Sequence, residues 1–360
     1  MAKNGYNKTA VAIGAVIVYV ILGFTIIIPL LVTKFVLDSF FNKRVKDSDA
    51  LFTEKDYKGL IKEEKHFKSG KYTLGGGLFY NEQFSSYKGL IIVSHGIGCG
   101  LNNYMLVIDY FARKGYLVFA FNMTGTCTSE GPGLIGLQRG ILDLKNAIFY
   151  AKSLPQAKGL KTFVFAHSWS GFCSAAMLND KKVCKELTAV ATTSGFNNFW
   201  DSMRAQAEAK AGKATCLAKP STYVISFLRF GKVAFYEGIK GINKFNKPVL
   251  ITHSKDDPTV PFEISLANHM DKCTNKKAIV NIYEDRAHSI HRAKWAEEEI
   301  SKSVIGKPVI EKPADMNIFQ YYMEIKYRYT TADVEFALDE EYMNSIEAFF
   351  DKARKEEEIA

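Results

Sequence analysis

The residues able to do chemistry gather at four places in the chain. The first is Phe165-Ala166-His167-Ser168-Trp169-Ser170-Gly171. It follows Lys161 to Ala166 (KTFVFA), which reads as a buried strand, and precedes a stretch with helical spacing. A serine on a sharp strand-to-helix turn presents its hydroxyl as a nucleophile, and so tight a turn requires small residues two before and two after it. Ala166 and Ser170 meet that requirement where the common pattern has glycine. The bland alternative is an ordinary surface serine, because strand–turn–helix segments containing serine are common.

A serine hydroxyl is a weak nucleophile and needs a base within hydrogen-bond reach, itself oriented by an acid. The run His253-Ser254-Lys255-Asp256-Asp257-Pro258 follows the apolar stretch Pro248 to Thr252, and Asp257 is the expected acid, with Asp256 its neighbouring alternative. Glu284-Asp285-Arg286-Ala287-His288-Ser289 follows Ala278 to Tyr283, and His288 is the expected base, with His291 as competitor. The other histidines have structural readings: His66 and His269 at the surface, His253 packing at a strand end, and His167 directed away from the reacting centre.

Two backbone N–H groups should hold the developing oxyanion. One belongs to Trp169, the residue after the nucleophile. The other is expected from Ile97 in Ser94-His95-Gly96-Ile97-Gly98, where flexible glycines let an amide turn toward the site; His95 reads as structural. The implied chemistry is acyl transfer to water. It calls for no metal and no cofactor, and the six cysteines contain no C-x-x-C pair.

These groups need a scaffold. Short apolar runs at Gly89 to Ser94, Tyr116 to Phe121, Lys161 to Ala166, Leu187 to Thr192, Pro248 to Thr252 and Ala278 to Tyr283 read as strands buried on both faces. Helical spacing at Asn102 to Lys114, Gln138 to Ser153 and from Gly171 alternates with them. That alternation predicts an α/β class with a mostly parallel sheet and helices on both faces. Ser69-Gly70 and Gly75-Gly76-Gly77 suggest an antiparallel hairpin before it. Two stretches break the rhythm: about 196–246, read as a small helical cap, and about 292–333, rich in aromatics near Phe319, Tyr321, Tyr322, Tyr327 and Tyr329. An amphipathic helix from roughly Asp333 to Lys355 closes the chain.

With glycine loop, serine turn, acid loop and histidine loop in this order, the chain resembles the α/β-hydrolase superfamily. More narrowly it resembles the lysophospholipase-like or serine-aminopeptidase-like branch that occurs as membrane-anchored proteins in bacteria. The resemblance covers roughly Lys65 to His291 plus the closing helix. It implies the α/β-hydrolase fold and hydrolysis of carboxylic esters, lipid-like or small. In the loop Asn122-Met123-Thr124-Gly125-Thr126-Cys127, the branch usually carries Asp, Arg and Gly where this chain has Asn122, Thr124 and Cys127, so charges that brace the loop are missing. Rival readings are a peptidase acting on short peptides, with an acid such as Glu208 to hold the substrate amine, a thioesterase, and a catalytically degenerate membrane-bound scaffold.

Ahead of all this, Thr9 to Thr33 carries no charged side chain. That is long enough to cross a hydrocarbon core, which takes about 20 residues in a helix. It is longer than the apolar part of a signal peptide and is followed by no clear small-residue cleavage site. The expected organisation is therefore a single N-terminal transmembrane anchor (1–33), a stalk (34–64) and a hydrolase domain (65–360). Lys and Arg flank the anchor on both sides, so the positive-inside rule leaves its orientation open. The net charge of +9 comes without a dense basic run interleaved with aromatics, which argues against nucleic acid as a partner.

Overall fold

The computed structural model describes residues 8–47, 52–304, 333 and 336–359. The aromatics expected near 319–329 lie outside the described residues. A hairpin of β1 (Leu60–Ser69) and β2 (Tyr72–Asn81) opens the domain. The remaining strands are β3 (Leu90–Ser94), β4 (Leu117–Phe121), β5 (Thr162–His167), β6 (Ala189–Thr193), β7 (Val249–Ser254) and β8 (Ala278–Tyr283). All eight form one sheet in the order β1-β2-β4-β3-β5-β6-β7-β8. Pairing is antiparallel between β1, β2 and β4 and parallel from β4 onward.

The helices are α1 (Lys8–Leu22), α2 (Ile28–Phe41), α3 (Met105–Arg113), α4 (Arg139–Ser153), α5 (Trp169–Met177), α6 (Lys181–Glu186), α7 (Phe199–Ala211), α8 (Lys219–Phe230), α9 (Gly238–Phe245), α10 (Lys294–Val304) and α11 (Glu340–Ile359). One face of the sheet is covered by α3 and α11, through Val107, Ile108 and Phe111 on the first and Tyr342, Met343, Ile346 and Phe350 on the second. The other is covered by α4, α5 and α9, through Ile141, Leu144, Phe172, Ile239 and Ile242. Central strands such as β3 (LIIVS) and β4 (LVFAF) are buried at every position, which is why they carry apolar residues without alternation. The glycines of β2 serve close packing: a Cβ on Gly76 would stand 2.6 Å from the Ala120 carbonyl oxygen on β4.

The stretch expected as a cap holds α7, α8 and α9. The closing helix starts later than its spacing predicts, because Asp339 caps it, its Oδ1 accepting the Tyr342 N–H at 2.7 Å.

The N-terminal helix continues past the expected anchor boundary at Thr33. Helix runs through a π turn at Gly23–Ile27 as far as Phe41. Pro29 has no N–H to give the preceding turn, and the turn widens there. Beyond Thr33 the chain is packed on the domain. Leu37 and Phe41 are buried, Asp38 Oδ1 accepts from Arg229 of α8 at 2.5 Å, and Val45 forms a β-bridge with Thr126. Glu54–Asp56 makes a short helical turn and β1 already begins at Leu60. The mixed, charged composition of 34–64 suggests solvation, but Asp38 and Arg44 find partners that are distant in sequence.

Candidate active site

β5 ends at His167 and α5 begins at Trp169, so the whole change of direction falls on Ser168. Its backbone sits at φ 61 and ψ −122, in the region that side chains rarely adopt. Such strain persists only where the surroundings over-determine it. Here the Ser168 N–H donates to Thr193 O at 2.8 Å, and the Ser168 carbonyl receives the Phe172 N–H at 3.2 Å. Ala166 is fully buried. Ser170, at the position usually held by glycine, uses its hydroxyl as a strut: Oγ donates to Ser94 O at 2.6 Å and accepts the His167 N–H at 3.1 Å. Gly171 is needed for approach, since a Cβ there would lie 2.9 Å from Gly195 Cα.

The loops after β7 and β8 bring the other two groups to this turn. His288 Nε2 stands 2.9 Å from Ser168 Oγ, and His288 Nδ1 stands 2.7 Å from Asp257 Oδ2. The second oxygen of Asp257 accepts the N–H groups of Thr259 at 2.8 Å and Val260 at 2.9 Å. Burial pushes the Asp257 carboxyl up, but the facing His288, its hydrogen bond and the Val260 N–H outweigh burial and hold it below the usual carboxylate range. An ionised Asp257 makes His288 Nδ1 the donor. Nε2 is then the acceptor for the serine hydroxyl, the arrangement general-base activation requires.

Asp256 points elsewhere. Its Oδ1 accepts the Ser254 hydroxyl at 2.5 Å and the Ala287 N–H at 3.0 Å. It therefore braces the histidine loop, where Ala287 takes φ 49. It is His288 that reaches Ser168 Oγ, while His291 stacks on Tyr104 with ring centres 5.7 Å apart.

The loop after β3 lies against Ser168. A Cβ on Gly96 would be 3.4 Å from Ser168 Cβ, and Ile97 follows it. Among the described residues, neither the Ile97 N–H nor the Trp169 N–H donates a hydrogen bond. His95 braces this loop: its Nε2 accepts the Met123 N–H at 3.0 Å and its Nδ1 donates to Gly96 O at 2.8 Å. Burial lowers its pKa to about 4, so the ring is neutral. His253 is likewise a buried strand-end residue, with Nε2 2.9 Å from Val260 O.

His167 departs from its expected place. It is not directed away from the centre: its ring centre lies 4.7 Å from that of His288. The histidine loop crosses the end of β5 on the face where the His167 ring emerges. His167 Nε2 donates to the His288 carbonyl at 3.0 Å, and its Nδ1 accepts from the Tyr104 hydroxyl at 2.7 Å. That hydroxyl accepts the Gly96 N–H at 2.9 Å. The His288 carbonyl also receives the Ser194 hydroxyl at 2.7 Å. The sequence marked Tyr104 only as an apolar helical position, and no local signal connects it to a histidine loop nearly two hundred residues away.

The missing charges of the loop at 122–131 are replaced from two directions. Arg44 donates to the carbonyls of Gly131 at 2.7 Å and of Cys127 and Ser129 at 2.8 Å. Arg139 Nε donates to Thr124 Oγ1 at 2.9 Å, and Asp143 Oδ2 accepts the Thr124 N–H at 2.8 Å. Glu208, the acid considered for an amine subsite, is paired with Arg204 on α7 at 3.3 Å. Among the described residues no cluster of His, Cys, Asp and Glu is arranged to hold a metal.

Residues 85–224 match the family model described as Serine aminopeptidase, S33. The chain is similar to the Pyrococcus furiosus esterase Pf2001, at 19% identity over 73% of this chain and 95% of that one, with a TM-score of 0.54. It is also similar to the Pyrococcus horikoshii acylaminoacyl peptidase, at 18% identity over 65% of this chain and 38% of that one, with a TM-score of 0.50. No curated protein matches the sequence. At such identities the likeness is one of fold, a mostly parallel sheet with helices on both faces.

Proposed function

We propose, from the match of residues 85–224 to the serine aminopeptidase model and the likeness of fold to an esterase, that this chain is a serine hydrolase of carboxylic esters, with Ser168 as nucleophile, His288 as base and Asp257 as its orienting acid. One observation carries the reading: a single imidazole bridges the strained Ser168 and an ionised, buried Asp257 at 2.9 and 2.7 Å.

Ser168 Oγ attacks the ester carbonyl carbon while its proton passes to His288 Nε2. The carbonyl oxygen becomes an oxyanion, held by the N–H groups of Ile97 and Trp169. Collapse breaks the bond to the leaving alkoxide, which takes the proton from His288. Water then attacks the acyl-enzyme, giving its proton to His288, and the acid product leaves as Ser168 recovers it. Each oxyanion donor of this kind contributes about 3–4 kcal/mol to the barrier reduction.

The apolar N-terminal helix is proposed to anchor the enzyme in a membrane, which favours a lipid-like ester as substrate. An aminopeptidase would need an acidic group for the substrate amine, and the pairing of Glu208 with Arg204 weakens that reading. The test is labelling by a fluorophosphonate together with hydrolysis of a short p-nitrophenyl ester. Both are expected in the native chain and abolished in Ser168→Ala. Activity retained by that variant in both assays would remove Ser168 from the chemistry.

A further inference from the structure

The cap helix α8 has two unlike faces. Ser221, Thr222, Ile225 and Ser226 are buried against the domain. Its outer face exposes Val224, Phe227 and Leu228, the last at 78%, and the flanking turns expose Leu217 and Phe235. Five large apolar side chains on one surface are more than scattered exposure requires.

This surface is continuous with the N-terminal helix. α2 packs along α8, and Arg229 of α8 holds Asp38 of α2 at 2.5 Å. The Phe41 carbonyl receives the Ile135 N–H at 3.2 Å, and the Ile135 carbonyl in turn accepts from Arg229 of α8 at 2.9 Å, so the helix end and the cap are held by one loop. Thr9–Phe41 is 33 residues long. At 1.5 Å per residue it is about 50 Å in length, against a hydrocarbon core of about 30 Å. The length left over runs beside the cap, with Phe35 74% exposed. Lys213 and Lys232, which flank α8 in the chain, are exposed and suited to phosphate headgroups.

We infer that Leu217, Val224, Phe227, Leu228 and Phe235 of the cap lie in the headgroup–acyl boundary of the same leaflet from which α2 emerges. The anchor and cap then form one rigid membrane-facing surface. This inference rests on the membrane-anchor reading. It explains why a cap over a hydrolase site exposes its most apolar side chains instead of burying them.

The experiment uses the full chain in vesicles of phosphatidylcholine and phosphatidylglycerol at about 3:1. A Cys216→Ser parent receives Leu228→Cys or, as control, Lys158→Cys before β5, and an environment-sensitive fluorophore; the labelled parent supplies the background. The Leu228 label should be quenched roughly twofold or more by nitroxide lipids and little by aqueous iodide, with the reverse at Lys158. Fluorophosphonate labelling reports that each variant is folded, and alkaline carbonate extraction of the same vesicles reports anchoring. Retention in the membrane with iodide quenching at Leu228 equal to that at Lys158 overturns the surface alone. Release by carbonate overturns the anchor and the surface together.

Discussion

His167 Nε2 donates to the backbone carbonyl of His288 across 3.0 Å, so the residue preceding Ser168 holds the loop that carries His288. Tyr104 extends this link to Gly96 and hence to the Ile97 loop. One hydroxyl therefore ties the Gly96 loop to His167 and, through it, to the His288 loop. Tyr104→Phe removes the hydroxyl that accepts the Gly96 N–H and donates to His167 Nδ1, and a buried hydrogen bond broken on one side costs about 1–3 kcal/mol. In its role as a positioning residue, Tyr104 should when substituted lower kcat roughly tenfold with KM little changed. The pH–rate profile should shift as well; loss of thermal stability with an unaltered profile and kcat would reduce Tyr104 to packing.

Asp257 and Asp256 are adjacent but should behave differently. Asp257→Asn keeps the shape but favours the wrong His288 tautomer, a change expected to lower kcat by about 10⁴. Asp256→Asn loosens the turn at Ala287 and should lower kcat less than about tenfold, with a fall in stability. Steady-state kinetics on a soluble ester compare the two, and equal losses would contradict the separate roles.

Arg44→Ala should loosen the loop at 123–131. The guanidinium is largely exposed, so the loss is expected near 1 kcal/mol despite three carbonyl contacts. Urea unfolding of the detergent-solubilised chain would show it as a lower midpoint at unchanged slope. No change in midpoint would mean that Arg139 and Asp143 brace the loop unaided.

Glu357 on α11 gives a pH signature of stability. Burial opposes its charge, but hydrogen bonds from Thr188, Lys247 and Lys161 prevail and bring its pKa to about 2 from an ordinary 4.5. A depressed carboxylate stabilises the fold above its unfolded pKa, and that contribution fades as pH falls toward the folded value. Glu357→Gln should therefore be less stable than the native chain at pH 7, with the gap closing between about pH 4.5 and 2. Denaturant unfolding at pH 7, 4 and 3 reads this, and a gap independent of pH would contradict it.

The sequence by itself determined the alternation of buried strands and amphipathic helices, the strand-to-helix turn at Ser168, the loops carrying Asp257 and His288, and the uncharged run at the N-terminus. These are local patterns, in which side-chain size, period and the neighbours in the chain suffice. Tertiary structure alone decided which of Asp256 and Asp257 faces His288, because the two share their chemistry and differ only in direction. It also decided that His167 reaches the His288 carbonyl through a crossing loop, and that 34–47 is docked on the domain. Arg44 meets its carbonyl partners more than eighty residues along the chain, and Asp38 meets Arg229 at a separation of 191. Such pairs exist only once the sheet has set the distances between loops, so no window of sequence contains them.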